Sequence, residues 1–152
     1  MEIERKFLIS KLPDLSTYSF HKISQAYLNT EPVIRIRKQD DDYILTYKGK
    51  GLLAREEYNL PLNEESYHHL AKKADGNVIT KTRYLIPLNH GLLAELDIFD
   101  SPFEWLQLVE VEFKNLKEAN DFTPPNWFGE EVTNDYHYQN SYLSQIKEAV
   151  AK

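Results

Sequence analysis

Acidic and basic side chains recur at every second position along several short segments of this chain, and their signs are sorted segment by segment. Arg35/Arg37 and Lys81/Arg83 are purely basic, while Glu95/Asp97 and Glu110/Glu112 are purely acidic. Glu2, Glu4 and Lys6 share one parity, as do Arg55 and Glu57, and Lys48 has Thr46 beside it. In an extended strand, residues i and i+2 point to the same face. Seven carboxylates (Glu2, Glu4, Glu57, Glu95, Asp97, Glu110, Glu112) therefore belong to the same charged face as the cations. Gathered in one place, two bare carboxylates ~4 Å apart repel by ~4 kcal/mol at an effective dielectric near 20. A proton or a bound cation relieves that repulsion. With oxygen donors only and no histidine on the shared face, the fitting cation is hard and divalent, Mg2+ or Mn2+. Among the basic positions arginine (Arg35, Arg37, Arg55, Arg83) outnumbers lysine (Lys48, Lys81). The guanidinium fork matches phosphate oxygens. A metal cluster facing a basic cluster suits a polyanion bearing several phosphates: the cations hold it and the metal draws charge from the reacting group.

The elements that must carry these residues are strands. Period-2 alternation predicts them at 2–8, 33–39, 43–48, 55–60, 80–86, 94–99 and 108–114, with a weaker candidate at 22–28. Turn residues separate them: Asn29–Pro32, Asp40–Asp42, Gly49–Gly51, Asn89–Gly91 and Ser101-Pro102. Such short connections predict antiparallel neighbours, and about eight strands can close a small barrel. Two helices are expected. One spans Glu64 to Ala74, with Asn63 as N-cap and Gly76 as stop. The other is C-terminal, with Tyr142, Leu143, Ile146, Ala149 and Val150 as its apolar stripe. A turn of helix within Leu12–Tyr18 and an irregular Pro124–Gly129 connection complete the reading. Opposite the charges lie Ile34/Ile36, Leu45/Tyr47, Thr82/Tyr84, Leu96/Ile98 and Val109/Val111/Phe113. The alternation leaves open which face turns inward. One alternative is a half-buried sheet with its charges in water; sign sorting argues against it, because like charges directly opposite one another weaken strand pairing.

Composition narrows the function classes. The chain has 152 residues, 41% hydrophobic and 28% charged, as expected for one globular domain spanning 1–152. With 18 Lys and Arg against 24 Asp and Glu, its net charge of −6 argues against nucleic acid or an anionic membrane as partner. The absence of cysteine excludes disulfides, thiolate zinc sites and a Cys nucleophile. No apolar stretch is long enough to span a bilayer. Met1-Glu2-Ile3-Glu4 does not open a secretory signal, so a cytoplasmic protein is expected. Lys48-Gly49-Lys50-Gly51 lacks P-loop spacing, and Asp40–Asp42 lacks that of a calcium loop. The adjacent His68 and His69 cannot share a helix face, and Trp105 and Trp127 read as packing residues.

The ordered blocks also carry a resemblance. Glu2-Ile3-Glu4-Arg5-Lys6-Phe7 resembles the N-terminal Glu-x-Glu-x-Lys signature of the CYTH superfamily, the triphosphate tunnel metalloenzymes. The match continues through Val33–Arg37, Leu45–Lys48, Arg55–Tyr58, Lys81–Tyr84, Glu95–Asp97 and Leu108–Phe113. Trp127–Thr133 is similar to small bacterial inorganic triphosphatases. The resemblance implies a mainly β fold: a closed eight-stranded antiparallel barrel tunnel with a charged lumen, flanked by a few helices. It implies hydrolysis of a small-molecule triphosphate with Mg2+ or Mn2+. By carry-over, Glu2, Glu4 and Glu112 are the metal ligands. Arg35, Arg37, Lys48, Arg55, Lys81 and Arg83 bind phosphate, and Lys6, Glu57, Glu95, Asp97 and Glu110 assist catalysis. Lys6 either contacts phosphate or holds the first carboxylates. The run Asp135–Asn140 departs from the family pattern, with His137 and the uncharged Gln139 where basic residues are usual. A CYTH-type adenylate cyclase, a thiamine or nucleoside triphosphatase, and a non-catalytic polyphosphate binder remain open as alternatives.

Overall fold

A computed structural model describes residues 1–146 of the chain. The alternating segments become ten strands: β1 (Glu2–Ile9), β2 (Phe20–Thr30), β3 (Val33–Gln39), β4 (Asp42–Lys48), β5 (Ala54–Arg55), β6 (Glu57–Leu62), β7 (Asp75–Pro87), β8 (Leu93–Phe99), β9 (Gln107–Glu112) and β10 (Phe128–Glu131). All pairings are antiparallel, in the order β10-β1-β9-β8-β7-β2-β3-β4-β6, with β5 against β1.

A kink at Glu56 brings the two ends of this sheet together. On one side of it Glu57 pairs with Lys48 of β4; on the other, Arg55 and Ala54 pair with Glu2 and Ile3 of β1. The Glu4 amide donates to the Leu53 carbonyl at 3.0 Å, extending the seam. The result is a nearly closed barrel with nine strands along its path, where the sequence reading counts eight. The additional strand is β10, whose apolar Phe128 and paired Glu131 lie beside Ile9 and Phe7 of β1. The preceding Pro124–Trp127 stretch masks its strand character.

The barrel is inside out relative to an ordinary small barrel. Glu2, Lys6, Arg35, Lys48, Lys81, Arg83, Asp97 and Glu110 are all buried, and they occupy the inward parity of their strands. The apolar parity faces outward and is covered. Leu96, Val109 and Val111 are fully buried in a cluster with Phe7, Phe113, Ala119 and Phe128. Each such side chain contributes ~1.5–3 kcal/mol by leaving water. Ala119 belongs to α2 (Leu116–Asp121), a helix too short to announce itself by periodicity. Arg5 ties this layer down: its guanidinium donates to the Ala119 and Phe122 carbonyls and to both Glu131 carboxylate oxygens. A second outer cluster packs Ile36 and Ala26 under Tyr67 of α1 (Glu64–Ala71).

The helix α1 starts at Asn63 as expected, with a reciprocal Asn63–Ser66 capping box, but it ends at Lys72. Gly76 is already the second residue of β7. The Leu12–Tyr18 stretch forms a single turn (Tyr18 amide to Leu15 carbonyl, 3.3 Å) and no helix. The C-terminal helix appears as α3 (Asn140–Leu143); Ala149 and Val150 lie outside the described residues.

At one end the inward positions turn apolar. Leu8, Ile79, Phe99 and Leu108 continue the parity of the charged residues, and they pack with Val132 and Leu143. The segment crossing this end carries α3, and its Gln139, Asn140 and Ser141 line the lumen above that apolar cluster. The closing seam depends on Gly51, whose φ of 132° is unfavourable for other residues and whose added Cβ would overlap the Ala54 carbonyl oxygen. Gly51→Ala is expected to cost more than ~1 kcal/mol, read as a lower chemical-denaturation midpoint.

Candidate active site

The barrel encloses a cavity of about 260 Å3. Strand register places its charges. Glu4 of β1 lies directly opposite Glu112 of β9, and Lys6 opposite Glu110. Glu95 of β8 stands opposite Glu110 on its other side. Glu2 faces Arg55 across the seam. Carboxylates thus collect on one wall, where like charges meet across strands.

Their protonation reflects that crowding. Burial, then the charges of Glu110 and Glu2, hold the Glu4 carboxyl well above its ordinary value. Glu2 is also pushed up by burial, with Lys48 only partly offsetting it. Glu112 rises through burial and the fields of Glu2, Glu57 and Glu95. Two carboxylates go the other way. Burial would raise Glu110, but Lys6 and Arg83 outweigh it and hold it well below the usual range. In Glu57, burial is likewise overcome by Lys48. The three carboxylates that burial and crowding push upward are Glu2, Glu4 and Glu112.

The cations line the other walls. Lys48 Nζ reaches Glu2 Oε1 at 3.0 Å and Glu57 at 3.4 Å, and Arg55 Nε lies 3.6 Å from Glu2. Lys6 Nζ lies 3.7 Å from Glu110 and donates to the Tyr138 carbonyl at 3.3 Å. Arg83 grips Asp97 with Nε at 2.7 Å and Nη2 at 2.9 Å, while Lys81 holds the same carboxylate at 2.7 Å. Burial lowers Lys81 to about 7 against the pull of Asp97. Arg83, which burial would also lower, is carried well above its ordinary value by Asp97 and Glu95.

Every expected site residue except Asp97 lines the cavity. Asp97 is completely buried behind Lys81 and Arg83, so it orders those cations without meeting the lumen. His137 does not line the cavity: its ring stacks on Tyr136 and contacts Asp135. Gln139, by contrast, reaches the lumen beside Asn140 and Ser141. The sequence reading also omits Gln25, Tyr27 and Asn59. Tyr27 and Asn59 line the lumen, while Gln25 lies behind Arg37. The β2 parity Ile23-Gln25-Tyr27 has no charge to mark it, and Asn59 continues the Arg55/Glu57 parity.

The donor set fits a hard divalent ion. Buried Glu2 Oε1 has Lys48 Nζ at 3.0 Å and Arg55 Nε at 3.6 Å but no hydrogen bond, and among the described residues Glu4 and Glu112 have no ion-pair partner. Among the described residues no three carboxylate or imidazole groups are drawn into a ready-made cage, as mutual repulsion requires of bare carboxylates.

This geometry has known counterparts. The family model for the CYTH domain matches residues 1–115. The chain belongs to the CYTH family. It is 40% identical over 146 residues to an inorganic triphosphatase of Nitrosomonas europaea, covering 94% of this chain and 96% of that one. An inorganic triphosphatase of Acetivibrio thermocellus is 33% identical over 149 residues, covering 93% and 92%. The solved structure of the inorganic triphosphatase NE1496 superposes with a TM-score of 0.70 at 37% identity, covering 98% of this CYTH chain and 97% of that one. Among the described residues of this CYTH protein, no helix is long and apolar enough to cross a membrane.

The Asp97 arrangement carries a stability prediction. Asp97→Ala leaves buried Lys81 without a carboxylate and Arg83 with only Glu95 and Glu110 at 3.5 and 3.9 Å, and is expected to cost ~3–5 kcal/mol in urea unfolding at neutral pH. Burial raises the Asp97 carboxyl, but Arg83 and Lys81 bring it below its ordinary 3.8. Its contribution is therefore complete above that value and is lost as pH falls through the lowered one. The gap between wild type and variant should close on acidification.

Proposed function

We propose that the lumen hydrolyses inorganic triphosphate to pyrophosphate and phosphate with a divalent cation, Mg2+ or Mn2+. The observation that carries this reading is the enclosure, in one 260 Å3 cavity, of carboxylates short of positive charge opposite a cluster of cations. The relatives named inorganic triphosphatase and the metal dependence of CYTH triphosphatases as a family support it. Size supports the inorganic substrate over a nucleotide: the cavity falls below the ~300–1,000 Å3 usual for drug-sized ligands. Among the described residues Tyr27 is the one aromatic ring lining it. No stacking pair for a base, as an adenylate cyclase would use, is assembled there.

Glu2, Glu4 and Glu112 would hold the metal. When bound, it would neutralise charge developing on the phosphoryl oxygens. Arg35, Arg37, Lys48, Arg55, Lys81 and Arg83 would bind the phosphate oxygens and fix the chain in line for attack. Glu110, kept ionised by Lys6 and Arg83, and its neighbour Glu95 would accept hydrogen bonds from the attacking water. Water's oxygen would form the new P–O bond, its proton would pass by way of the Glu95 and Glu110 carboxylates to solvent, the anhydride P–O bond would break, and pyrophosphate would leave with the bridging oxygen. Lys6 would hold Glu110, Glu57 would hold Lys48, and Asp97 would position Lys81 and Arg83. The same reading takes residues 1–152 as one tunnel domain acting on a small molecule in the cytoplasm. The net charge of −6 gives neither nucleic acid nor an anionic membrane a footing.

The test is phosphate release from inorganic triphosphate, ATP, thiamine triphosphate and longer polyphosphate, with and without each metal. Metal-dependent release fastest with inorganic triphosphate is expected. Binding with no release in any metal leaves only a polyphosphate binder. Glu4→Gln is expected to lower turnover by ~100-fold or more. Its thermal midpoint should not fall, because a crowded carboxylate has been removed. Protons and metal compete for the raised carboxylates, so metal affinity measured by calorimetry should tighten as pH rises through their range.

A further inference from the structure

The cations of the lumen fall into two groups. Lys6, Lys48, Arg55, Lys81 and Arg83 each lie within ion-pair distance of a carboxylate. Among the described residues, Arg35 and Arg37 do not. Their protein partners are neutral oxygens. Arg35 Nη2 donates to Thr46 Oγ1 at 3.2 Å, and its buried Nε has no partner. Arg37 donates from Nε at 2.9 Å and from Nη2 at 2.7 Å to one atom, Gln25 Oε1. Burial and the neighbouring Arg35 and Arg83 bring Arg37 down to about 9, so the site pays in stability for keeping this charge unmatched. A glutamate at position 25 would match it.

Gln25 is itself completely buried, and its orientation is set by a chain of hydrogen bonds. Lys81 donates to Asn140 Oδ1 at 3.1 Å, which turns that oxygen inward. The same oxygen accepts Gln25 Nε2 at 2.7 Å. With its NH2 end committed there, the Gln25 oxygen must face Arg37. Of the five N–H donors of a guanidinium, Gln25 takes two, and the others remain for a ligand in the cavity that Arg37 lines.

We infer that Gln25, locked by Asn140, is a positioning residue that aims the Arg37 guanidinium at the substrate while leaving its charge uncancelled. The inference rests on the triphosphatase reading and adds a determinant of substrate affinity to it. Thr46 serves Arg35 in the same way, backed by its 2.7 Å hydrogen bond to Asn59.

The test is Gln25→Glu, which keeps the size and an acceptor oxygen for Arg37, adds the opposing charge and gives up the donor to Asn140 Oδ1. KM for inorganic triphosphate is expected to rise by ~10-fold or more with kcat changed less than ~threefold, the signature of lost binding that is uniform between ground and transition states. Calorimetric binding of inorganic triphosphate without metal should weaken in parallel. Gln25→Met, which removes the acceptor, should raise KM as well. In an Arg37→Met background, Gln25→Glu should change KM no further, since its effect passes through Arg37. A Gln25→Glu enzyme with wild-type KM, or one that loses kcat alone, overturns the inference and leaves the triphosphatase reading standing. Wild-type protein that neither binds nor cleaves inorganic triphosphate overturns both.

Discussion

Charge withdrawn from bulk solvent is the constraint around which this molecule is built. Moving an ion into a protein interior costs several kcal/mol even after relaxation, and it is tolerated where opposite charges and hydrogen bonds compensate it. The barrel places Lys81, Arg83, Asp97 and Glu110 almost wholly out of solvent. It meets that cost by strand register. Arg83 stands across from Asp97, Lys6 across from Glu110 and Lys48 across from Glu57. Antiparallel register thus decides which buried charges meet an opposite one.

The compensation is incomplete in two places. On the β1–β9 wall, Glu2, Glu4 and Glu112 hold their protons more tightly than free carboxylates do. On the β2–β3 wall, Arg35 and Arg37 are held by a hydroxyl and an amide. An excess of negative charge thus faces an excess of positive charge across one small cavity. A cation and a polyanion together complete both walls, which is the electrostatic form of a metal-dependent phosphate site. Gln139, Asn140 and Ser141 line the cavity where the α3 segment crosses the barrel.

Much of this was legible in the residues. The period-2 spacing locates the long strands to within a few residues, with Val33–Gln39 matching at both ends. The same spacing sorts the charges onto one face, and the CYTH resemblance assigns that face to a lumen. What escaped detection lacked either length or charge. Six residues in α2 and four in β10 are too few for periodicity to register. Gln25 and Asn140 carry no charge, so nothing in the sequence marks them as partners of Arg37 and Lys81. Gly76 looks like a helix stop because a left-handed glycine often follows a helix, yet here its positive φ of 74° begins a strand packed against Ser144.

By itself, the sequence determined which residues share a face, because parity along a strand is a local property of the backbone. It also determined the chemical character of that face: hard oxygen donors opposite guanidinium and ammonium groups. Only the tertiary structure decided which carboxylates are matched and which are left wanting. That depends on register between strands far apart in the chain, such as Glu4 against Glu112 and Arg83 against Asp97. It also decided that Asp97 sits behind Lys81 and Arg83, out of the lumen, and that Gln25 holds the Arg37 guanidinium. A side chain's neighbours across a closed barrel are set by how the sheet meets itself, and no spacing along the chain encodes that directly.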